Sequence, residues 1–340
     1  MRALVCHAYG PIDSLKVEDI PQPVPKAGEV LVKVRAAGVS FAAMLGVQGK
    51  HQNKPALPYV PGNELAGHVV ALGDGVTNVA VGDRIATGVS QGAFAEYATA
   101  AAANLVPIPE IMPYAEATNF PTLYPTAYGA LKWKANLQPG EVLLVHGAGG
   151  GSGLTAIEVG KAMGAIVIAS AGGADKLKAA REAGADHLID YRAEDLRTRV
   201  LEITGGRGAD VIYDPVGGSA FDASLRCVAP EGRIIPMGFA SGTVPQIPAN
   251  ILLVKNVTVI GFYYGYWNGW GGKGVPSPKE AEALVKRRAL VAEAQKDLTR
   301  WFTEGKLKAT VAATYDLADW VKAFRLIEER TVVGKAVLVP

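Results

Sequence analysis

Cysteine is scarce in this chain of 340 residues. Only Cys6 and Cys227 occur, far apart in the sequence and with apolar neighbours on at least one side. A disulfide scaffold needs more cysteines, so the scarcity excludes that class and favours a reducing, cytoplasmic compartment. The first residues, MRALVCHAYG, also lack the long apolar core of a secretory signal, and we expect no export signal here.

Long hydrophobic runs and an excess of one charge are missing as well. No uninterrupted stretch of about 18 apolar residues exists, so a membrane span is not expected. The 34 basic and 32 acidic residues leave a net charge of +2, and the basic residues are scattered, which argues against nucleic acid as the main partner. By contrast, 49 % of the residues are hydrophobic, enough for a large core, and 340 residues suit two domains.

Residues 1–122 form the first predicted domain, and most of it consists of short apolar or alternating runs. Gly, Pro, Asn and Asp separate these runs, which predicts β-strands joined by turns. An antiparallel, barrel-like unit is typical of this pattern. The runs are MRALVCHAY, EVLVKVRAAGV, AGHVVALG, DRIATGV and AFAEYATA.

Residues 123–262 form the second predicted domain, in which apolar strands alternate with helical segments. Near-continuous apolar strands joined by helices are typical of a parallel sheet that is covered on both faces. Right-handed crossovers then predict an α/β fold with a doubly wound, Rossmann-type sheet. The six predicted strands lie in EVLLVHG, AIVIAS, HLIDY, DVIYDPVGG, GRIIPMGF and VTVIGF.

Residues 263–340 are predicted to return to the first domain, so that the α/β domain is inserted between its two parts. Two helical stretches, 278–304 and 317–329, precede a terminal strand. The Gly-rich stretch 269–274 is either a mobile lid or a plain surface loop. The aromatic run 262–267 suits a substrate wall, domain packing or a dimer interface equally well.

A Gly-rich turn follows the first strand of the predicted sheet and opens a helix. Ala148, Gly150 and Gly153 give it a spacing like Gly-x-Gly-x-x-Gly, with alanine at the first position. Small residues permit a tight turn and a close approach to a pyrophosphate, while the helix N-terminus offers free N–H groups and the positive end of its dipole. Within a six-strand alternating pattern, this turn predicts a dinucleotide-binding site.

The end of the second predicted strand decides between NADH and NADPH. An NAD site usually carries an acidic residue there, but residues 168–173 read IASAGG. Asp175 comes later, where capping a helix is its simpler explanation. Ser170 and Lys176 are placed to hold a 2′-phosphate, although Lys176 taken alone would be interpreted as a surface lysine. The missing acid therefore favours NADPH.

Several motifs occur in order along essentially the whole chain: VPGNELAGHV, VGDRI, GAFAEY, TAYGAL, LLVHGAGGGSGL, GADHLIDY, GFASG and GKAVLV. Together they resemble the medium-chain dehydrogenase/reductase superfamily, specifically its zinc-free, zeta-crystallin-like quinone oxidoreductase branch. The resemblance implies a GroES-like β-barrel catalytic domain with a Rossmann domain inserted into it, and substrate and nicotinamide between the two. It also implies a homodimer that joins Rossmann sheet edges near residues 256–262.

The resemblance further implies which residues contact the cofactor. In relatives, the position of Thr126 lies near the nicotinamide, and those of Lys176 and Tyr191 help to hold the NADPH phosphate. Further positions line the cofactor groove, and in this chain they are Gly150, Gly151, Val216, Phe239 and Lys335.

No metal is expected. Zinc-dependent members of the superfamily use a Cys and a following His after a Gly-Val turn, and a His-Glu pair after Pro-Gly. This chain has Ser40-Phe41 and Asn63-Glu64 at the matching places. Serine and asparagine are not normal zinc ligands, and two cysteines cannot form a four-cysteine structural site.

Without a metal, a carbonyl or enone oxygen that gains negative charge during hydride transfer needs another donor. The candidates are Ser40, His51, Tyr59 and Thr126. His51 stands where quinone oxidoreductases often carry a tyrosine, and an imidazole can donate a proton near neutral pH. An exposed loop histidine is the simpler explanation of the same residue.

These observations favour an NADPH-dependent oxidoreductase that reduces quinones or α,β-unsaturated carbonyls. Two alternatives stay open. A zinc-independent carbonyl or alcohol dehydrogenase would need an electrophile in place of zinc, for which the sequence offers no convincing residue. A cofactor-binding structural or RNA-binding protein with little catalysis is disfavoured by the near-neutral charge.

Overall fold

The structure, a computed structural model, describes residues 1–52, 54–268 and 277–340. The chain divides into two compact units. The first comprises Met1–Thr122 and Ala309–Pro340, and the second comprises Leu123–Lys308. The return to the first unit therefore lies at Ala309, whereas the sequence prediction put it at residue 263. The Gly-rich stretch 269–274, for which a mobile lid and the simpler plain surface loop are both open, lies outside the described residues.

The described part of the chain forms strands and helices whose bounds are as follows. The strands are β1 (Arg2–Val5), β2 (Lys16–Asp19), β3 (Glu29–Val39), β4 (Glu64–Leu72), β5 (Arg84–Gly88), β6 (Tyr97–Ala101), β7 (Val106–Pro107), β8 (Val142–His146), β9 (Ile166–Ala171), β10 (His187–Asp190), β11 (Ala209–Asp214), β12 (Val228–Pro236), β13 (Thr258–Val259), β14 (Val311–Asp316) and β15 (Lys335–Val339). The α-helices are α1 (Phe41–Val47), α2 (Tyr114–Ala117), α3 (Leu123–Tyr128), α4 (Gly151–Ala162), α5 (Ala174–Glu182), α6 (Leu196–Ile203), α7 (Ser219–Cys227), α8 (Ala249–Lys255), α9 (Tyr264–Trp267), α10 (Pro278–Thr303) and α11 (Trp320–Glu328). Short 3-10 turns at Ile12–Ser14, Ala102–Asn104 and Leu317–Asp319, and a π-helix at Gly129–Lys134, complete them.

The first unit is built on a sheet that has seven strands among the described residues, in the order β14-β15-β3-β4-β5-β7 with β6 also paired to β3. All of its pairs are antiparallel except β14 with β15. The chain therefore forms the β-rich, mainly antiparallel unit that its turn-rich pattern predicts. Its core contains Phe94 and Phe324, whose rings meet edge to face at 5.9 Å.

The second unit contains a parallel sheet that, in the described residues, has the order β10-β9-β8-β11-β12-β13. Numbered from its first strand, this order is 3-2-1-4-5-6, the doubly wound Rossmann arrangement. Each of the six predicted strands is present, so the predicted fold class is confirmed. Leu144, Ile168, Ile212 and Ile234 are fully buried on four neighbouring strands, as expected for a sheet covered on both faces.

Aromatic contacts hold the long helix α10 within the second unit. The Tyr128 hydroxyl donates to Asp297 Oδ2 at 2.8 Å, and its ring centroid lies 5.7 Å from that of Trp301. Trp133 and Trp267 stack at 4.7 Å. Burial, together with the bond to Asp297, raises the pKa of Tyr128. These contacts explain why the described residues between 263 and 308 stay with the Rossmann sheet.

Across the part of the chain that the structure describes, no helix combines the length and the apolar character that crossing a membrane requires.

Candidate functional site

The Gly-rich turn joins β8 to α4, and its glycine positions differ in whether protein packing requires glycine there. A Cβ added to Gly153 would lie 2.3 Å from the carbonyl oxygen of Gly147, so only glycine lets the helix pack this close to the turn. A Cβ added to Gly150 would meet no atom nearer than 3.6 Å. Protein packing therefore does not require glycine at position 150, and the space there is open to a ligand.

The first turn of α4 presents backbone donors to that space. Gly151, Ser152 and Gly153 are its first residues, and N–H groups at this position have no intrahelical carbonyl partner. Gly150 occupies the N-cap and offers no side chain to satisfy them. The Ser152 hydroxyl lies 2.9 Å from the buried Tyr213 hydroxyl, and this hydrogen bond ties the start of α4 to β11. This is a geometry that suits an anion such as a pyrophosphate.

The end of β9 carries no carboxylate. The strand is followed by Gly172 and Gly173, and Gly173 occupies the N-cap of α5. Asp175 lies in the first turn of α5 instead of capping it, so the capping interpretation of this residue is wrong. Ser170 is buried, and its carbonyl accepts the N–H of Ala148 at 3.1 Å, which ties β9 to the Gly-rich turn.

Basic and phenolic side chains border this strand end. A Cβ added to Gly149 would lie 2.4 Å from Lys176 Cβ, so Lys176 stands directly behind the Gly-rich turn. A Cβ added to Gly172 would lie 2.6 Å from Arg192 Nε and 2.8 Å from the Tyr191 hydroxyl. The sequence argument missed Arg192. Its position directly after Tyr191 is the one signal that points to it.

Two more of the expected cofactor residues follow β11 and β12. A Cβ added to Gly147 would lie 3.3 Å from Val216 Cγ2, and one added to Gly217 would lie 3.2 Å from Phe239 Cδ1. The second unit thus gathers most of the expected cofactor residues at the carboxyl ends of its parallel strands and on the loops and helix starts that follow, where doubly wound sheets bind ligands. These residues are Ala148, Gly150, Gly151, Gly153, Ser170, Lys176, Tyr191, Val216 and Phe239. Their contact with a cofactor stays a prediction.

Thr126 and Lys335 are placed differently. Thr126 lies half-buried in α3 of the second unit. Lys335 lies in the first unit, where its buried ammonium donates to the Glu64 carboxylate and, at 2.8 Å, to the carbonyl oxygen of Thr118. A Cβ added to Gly38 would lie 2.3 Å from Lys335 Cε. The charge of Lys335 is thus already paired, and its expected place in the cofactor groove stays a prediction.

The other proton-donor candidates lie in the first unit. Ser40 caps α1, its hydroxyl oxygen accepting the N–H of Ala43 at 3.1 Å. Tyr59 is buried and pairs through its backbone with Cys6; burial raises the pKa of Tyr59, which makes it a weaker acid. His51 follows α1 and is half-buried.

The positions that bind zinc in zinc-dependent members hold other contacts here. The Asn63 amide donates to the carbonyl oxygen of Ser90 at 2.8 Å, and the Glu64 carboxylate accepts from Lys335. Within residues 1–52, 54–268 and 277–340, no group of three or more His, Cys, Asp or Glu side chains could hold a metal ion.

The aromatic run divides into packed and exposed members. Phe262 and Trp267 lie 5.9 Å apart and Tyr264 is buried, so these three pack inside the second unit. Tyr263 and Tyr266 are more than half exposed. Domain packing thus accounts for part of the run.

Comparison with known proteins matches both units. Residues 26–110 match the family described as alcohol dehydrogenase GroES-like domain, and residues 151–273 match the family described as zinc-binding dehydrogenase. A quinone oxidoreductase-like protein 2 homolog from Nematostella vectensis is 38 % identical over 99 % of this chain and 88 % of its own length.

Solved structures agree with this comparison over the whole chain. Escherichia coli quinone oxidoreductase complexed with NADPH has a TM-score of 0.88 and 29 % identity over 100 % of both chains. A mycobacterial protein complexed with NADPH has a TM-score of 0.86 and 32 % identity, again over 100 % of both chains.

The chain combines a GroES-like unit with a Rossmann unit that has six strands among the described residues. This combination defines the medium-chain dehydrogenase/reductase fold. Within that superfamily, the chain belongs to the quinone oxidoreductase-like branch. The predicted family is confirmed.

Proposed function

We propose that this protein is an NADPH-dependent oxidoreductase that reduces quinones or α,β-unsaturated carbonyls without zinc. One observation carries the proposal. At a single edge of the Rossmann sheet, an open Gly150 surface beside a helix N-terminus adjoins a strand end without a carboxylate, with Lys176 beside Gly149 and Arg192 beside Gly172. The NADPH named with the mycobacterial and Escherichia coli structures supports the same cofactor.

Preference for NADPH over NADH follows from the chemistry of the β9 end. A carboxylate there would accept from a ribose 2′-hydroxyl and repel a 2′-phosphate. Instead, Arg192 brings positive charge and Tyr191 a hydroxyl donor to the turn at Gly172, and Lys176 brings positive charge beside Gly149. Charge-assisted hydrogen bonds to phosphate are about twice as strong as neutral ones, so this set favours the phosphorylated cofactor.

Different residues of the chain would bind the cofactor and supply the proton. NADPH, when bound, supplies the hydride. The turn at Gly150 and the first N–H groups of α4 would hold its pyrophosphate, and Lys176 would hold its 2′-phosphate. For the proton, Ser40, His51, Tyr59 and Thr126 are the candidates, and burial raises the pKa of Tyr59, which makes it a weaker acid than an exposed tyrosine.

We further propose that two copies associate through the β13 edge of the Rossmann sheet. In the described part of the chain, β13 pairs with β12 on one side and ends the sheet on the other. Leu253 and Val254 on the neighbouring α8 are 78 % and 76 % exposed. An open strand edge beside exposed aliphatic side chains is a surface that a second copy would cover.

Cys6 and Cys227 are both free and buried, in keeping with the proposed reducing cytoplasm.

Acceptor assays test the proposed reaction. The oxidation of NADPH and NADH should be followed with 9,10-phenanthrenequinone, 1,4-benzoquinone, a 2-alkenal and a simple ketone. Quinone or alkenal turnover with NADPH supports the proposal. Turnover of the ketone alone identifies a carbonyl dehydrogenase, and NADPH binding without any turnover identifies a cofactor-binding protein that lacks this activity.

Variants of the β9 end test the cofactor assignment. Lys176→Ala and Arg192→Ala should each raise the KM for NADPH and leave the KM for NADH nearly unchanged. Lys178→Ala is the matched control, because Lys178 lies two positions along the same helix with its side chain 77 % exposed. Equal effects at all three positions would contradict a 2′-phosphate site here.

A further inference from the structure

Asp214, the last residue of β11, was not among the expected site residues, yet its carboxylate holds the turn that follows. It is fully buried. Its Oδ1 atom accepts the N–H of Val216 at 2.8 Å and that of Gly217 at 3.0 Å. Gly217 has a φ of +70°, a conformation that favours glycine, and the two bonds tie its N–H and that of Val216 to one carboxylate oxygen. Both bonds are charge-assisted and therefore stronger than neutral ones.

The second oxygen of the same carboxylate is buried without a hydrogen-bond partner in the described residues. The nearby histidine does not supply one: His146 bonds through Nε2 to the Ser224 hydroxyl at 2.8 Å. Burial lowers the pKa of His146, and the neighbouring Asp214 acts in the opposite direction. A buried carboxylate oxygen without a hydrogen-bond partner costs stability, so Asp214 occupies this position at a cost to the fold.

Backbone hydrogen bonds also connect Asp214 and the turn after it to the loop that follows β12. Its carbonyl oxygen accepts the N–H of Met237 at 2.7 Å, and the carbonyl oxygen of Val216 accepts the N–H of Ser241 at 2.9 Å. The loop that carries Phe239 is therefore bonded to Asp214 at its start and to the Asp214-held turn at its far side. Two loops of the candidate cofactor site thus share one anchor.

We propose that Asp214 is a positioning residue for the dinucleotide, through the turn at residues 215–218 and the loop at 237–241. The inference rests on the proposed function and adds a residue that touches neither cofactor nor substrate. Asp214 ends the strand that pairs with β8, so it stands beside the Gly-rich turn at the point where the strand order reverses. Val216 lies against that turn, and a shift of the 215–218 backbone would move it.

Asp210 offers a matched control on the same strand. It is also buried, and it too accepts a backbone N–H, that of Val142 at 2.8 Å, but at the opposite end of the sheet. Asn and Ala variants at both positions should be compared by NADPH fluorescence titration well below their melting temperatures. All of them are expected to melt earlier than the wild type, because each loses a buried hydrogen-bonded charge.

Only the Asp214 variants should lose affinity for NADPH. We expect the Kd to rise by roughly threefold in Asp214→Asn, which keeps a carbonyl oxygen for both N–H groups, and by about tenfold or more in Asp214→Ala. The kcat at saturating NADPH should stay within about twofold of the wild type, because Asp214 does not touch the reacting atoms. Asp210→Asn and Asp210→Ala should bind NADPH as the wild type does.

The outcomes separate this inference from the proposed function. If the wild type itself does not bind NADPH, the proposed function fails and the inference falls with it. If the wild type binds but the Asp214 variants match the Asp210 variants in Kd, the inference alone is overturned. Should Asp214→Ala not fold, the comparison of Asp214→Asn with Asp210→Asn decides the question in the same way.

Discussion

Gly150 and Gly153 lie three residues apart in the Gly-rich turn, and the structure predicts opposite results for their substitution by alanine. At Gly150 the backbone has φ −88° and ψ 166°, which any residue adopts, and an added Cβ has its nearest neighbour at 3.6 Å. Alanine lowers the entropy of the unfolded chain, a gain of roughly 0.4–1 kcal/mol. The N-cap position prefers glycine to alanine by a similar amount, so we expect the free energy of unfolding to change by less than about 0.5 kcal/mol.

Binding of NADPH should nevertheless suffer in Gly150→Ala. The methyl group would occupy the space that the account gives to the pyrophosphate. We expect the Kd for NADPH to rise by about tenfold or more, which corresponds to about 1.4 kcal/mol.

Gly153→Ala is the contrasting variant. Its Cβ would lie 2.3 Å from a backbone oxygen that cannot rotate away, so the turn itself must shift. We expect a loss of about 1–3 kcal/mol in the free energy of unfolding. Urea unfolding and NADPH fluorescence titration of both variants measure the two effects separately. Wild-type affinity in a stable Gly150→Ala protein would refute the reasoning, because the space above Gly150 would then not be where the cofactor binds.

Three further predictions concern other parts of the molecule. Lys335→Met should lower the free energy of unfolding by about 3–5 kcal/mol, because it leaves the Glu64 carboxylate buried and unpaired. Adding Glu64→Gln should recover part of that loss in urea unfolding, and no recovery would contradict the pairing. Hydrogen bonds from Thr198 to Asp195 at the start of α6 lower the pKa of Asp195 below 3.8. The stability that Asp195 adds to the fold is therefore complete above about pH 3.8, and it is lost as the pH falls through the lower pKa of the folded state. The melting temperatures of the wild type and Asp195→Ala should therefore converge in acid, and a gap that persists there would contradict the assignment. His51→Phe should lower kcat without changing the Kd for NADPH, and unchanged kinetics would remove His51 from the proton-donor candidates.

The Rossmann sheet was predictable because its signal is local. Each of its strands is a short apolar run beside a turn, and the Gly-rich turn marks the first strand on its own. The boundary at Ala309 was not predictable in this way. The helix α10 shows a helical pattern, but its partner is set by contacts such as Tyr128 with Asp297, which lie 169 positions apart.

The candidate site shows the same division. The absence of an acid after β9 and the presence of Lys176 can be read directly from the sequence. Arg192 lies on a loop without periodicity, and only the fold shows that it borders Gly172. Asp214 ends an apolar strand, and its role depends on N–H groups whose direction the sequence does not encode. Lys335 was expected from family resemblance in the cofactor groove, while its ion pair with Glu64 joins residues 271 positions apart.

Side-by-side titration of the wild type with NADPH and NADH tests the central claim most directly. Lys176 beside Gly149, Arg192 beside Gly172 and the missing carboxylate predict that NADPH binds about tenfold more tightly or better. Equal affinities, or tighter binding of NADH, would contradict the account.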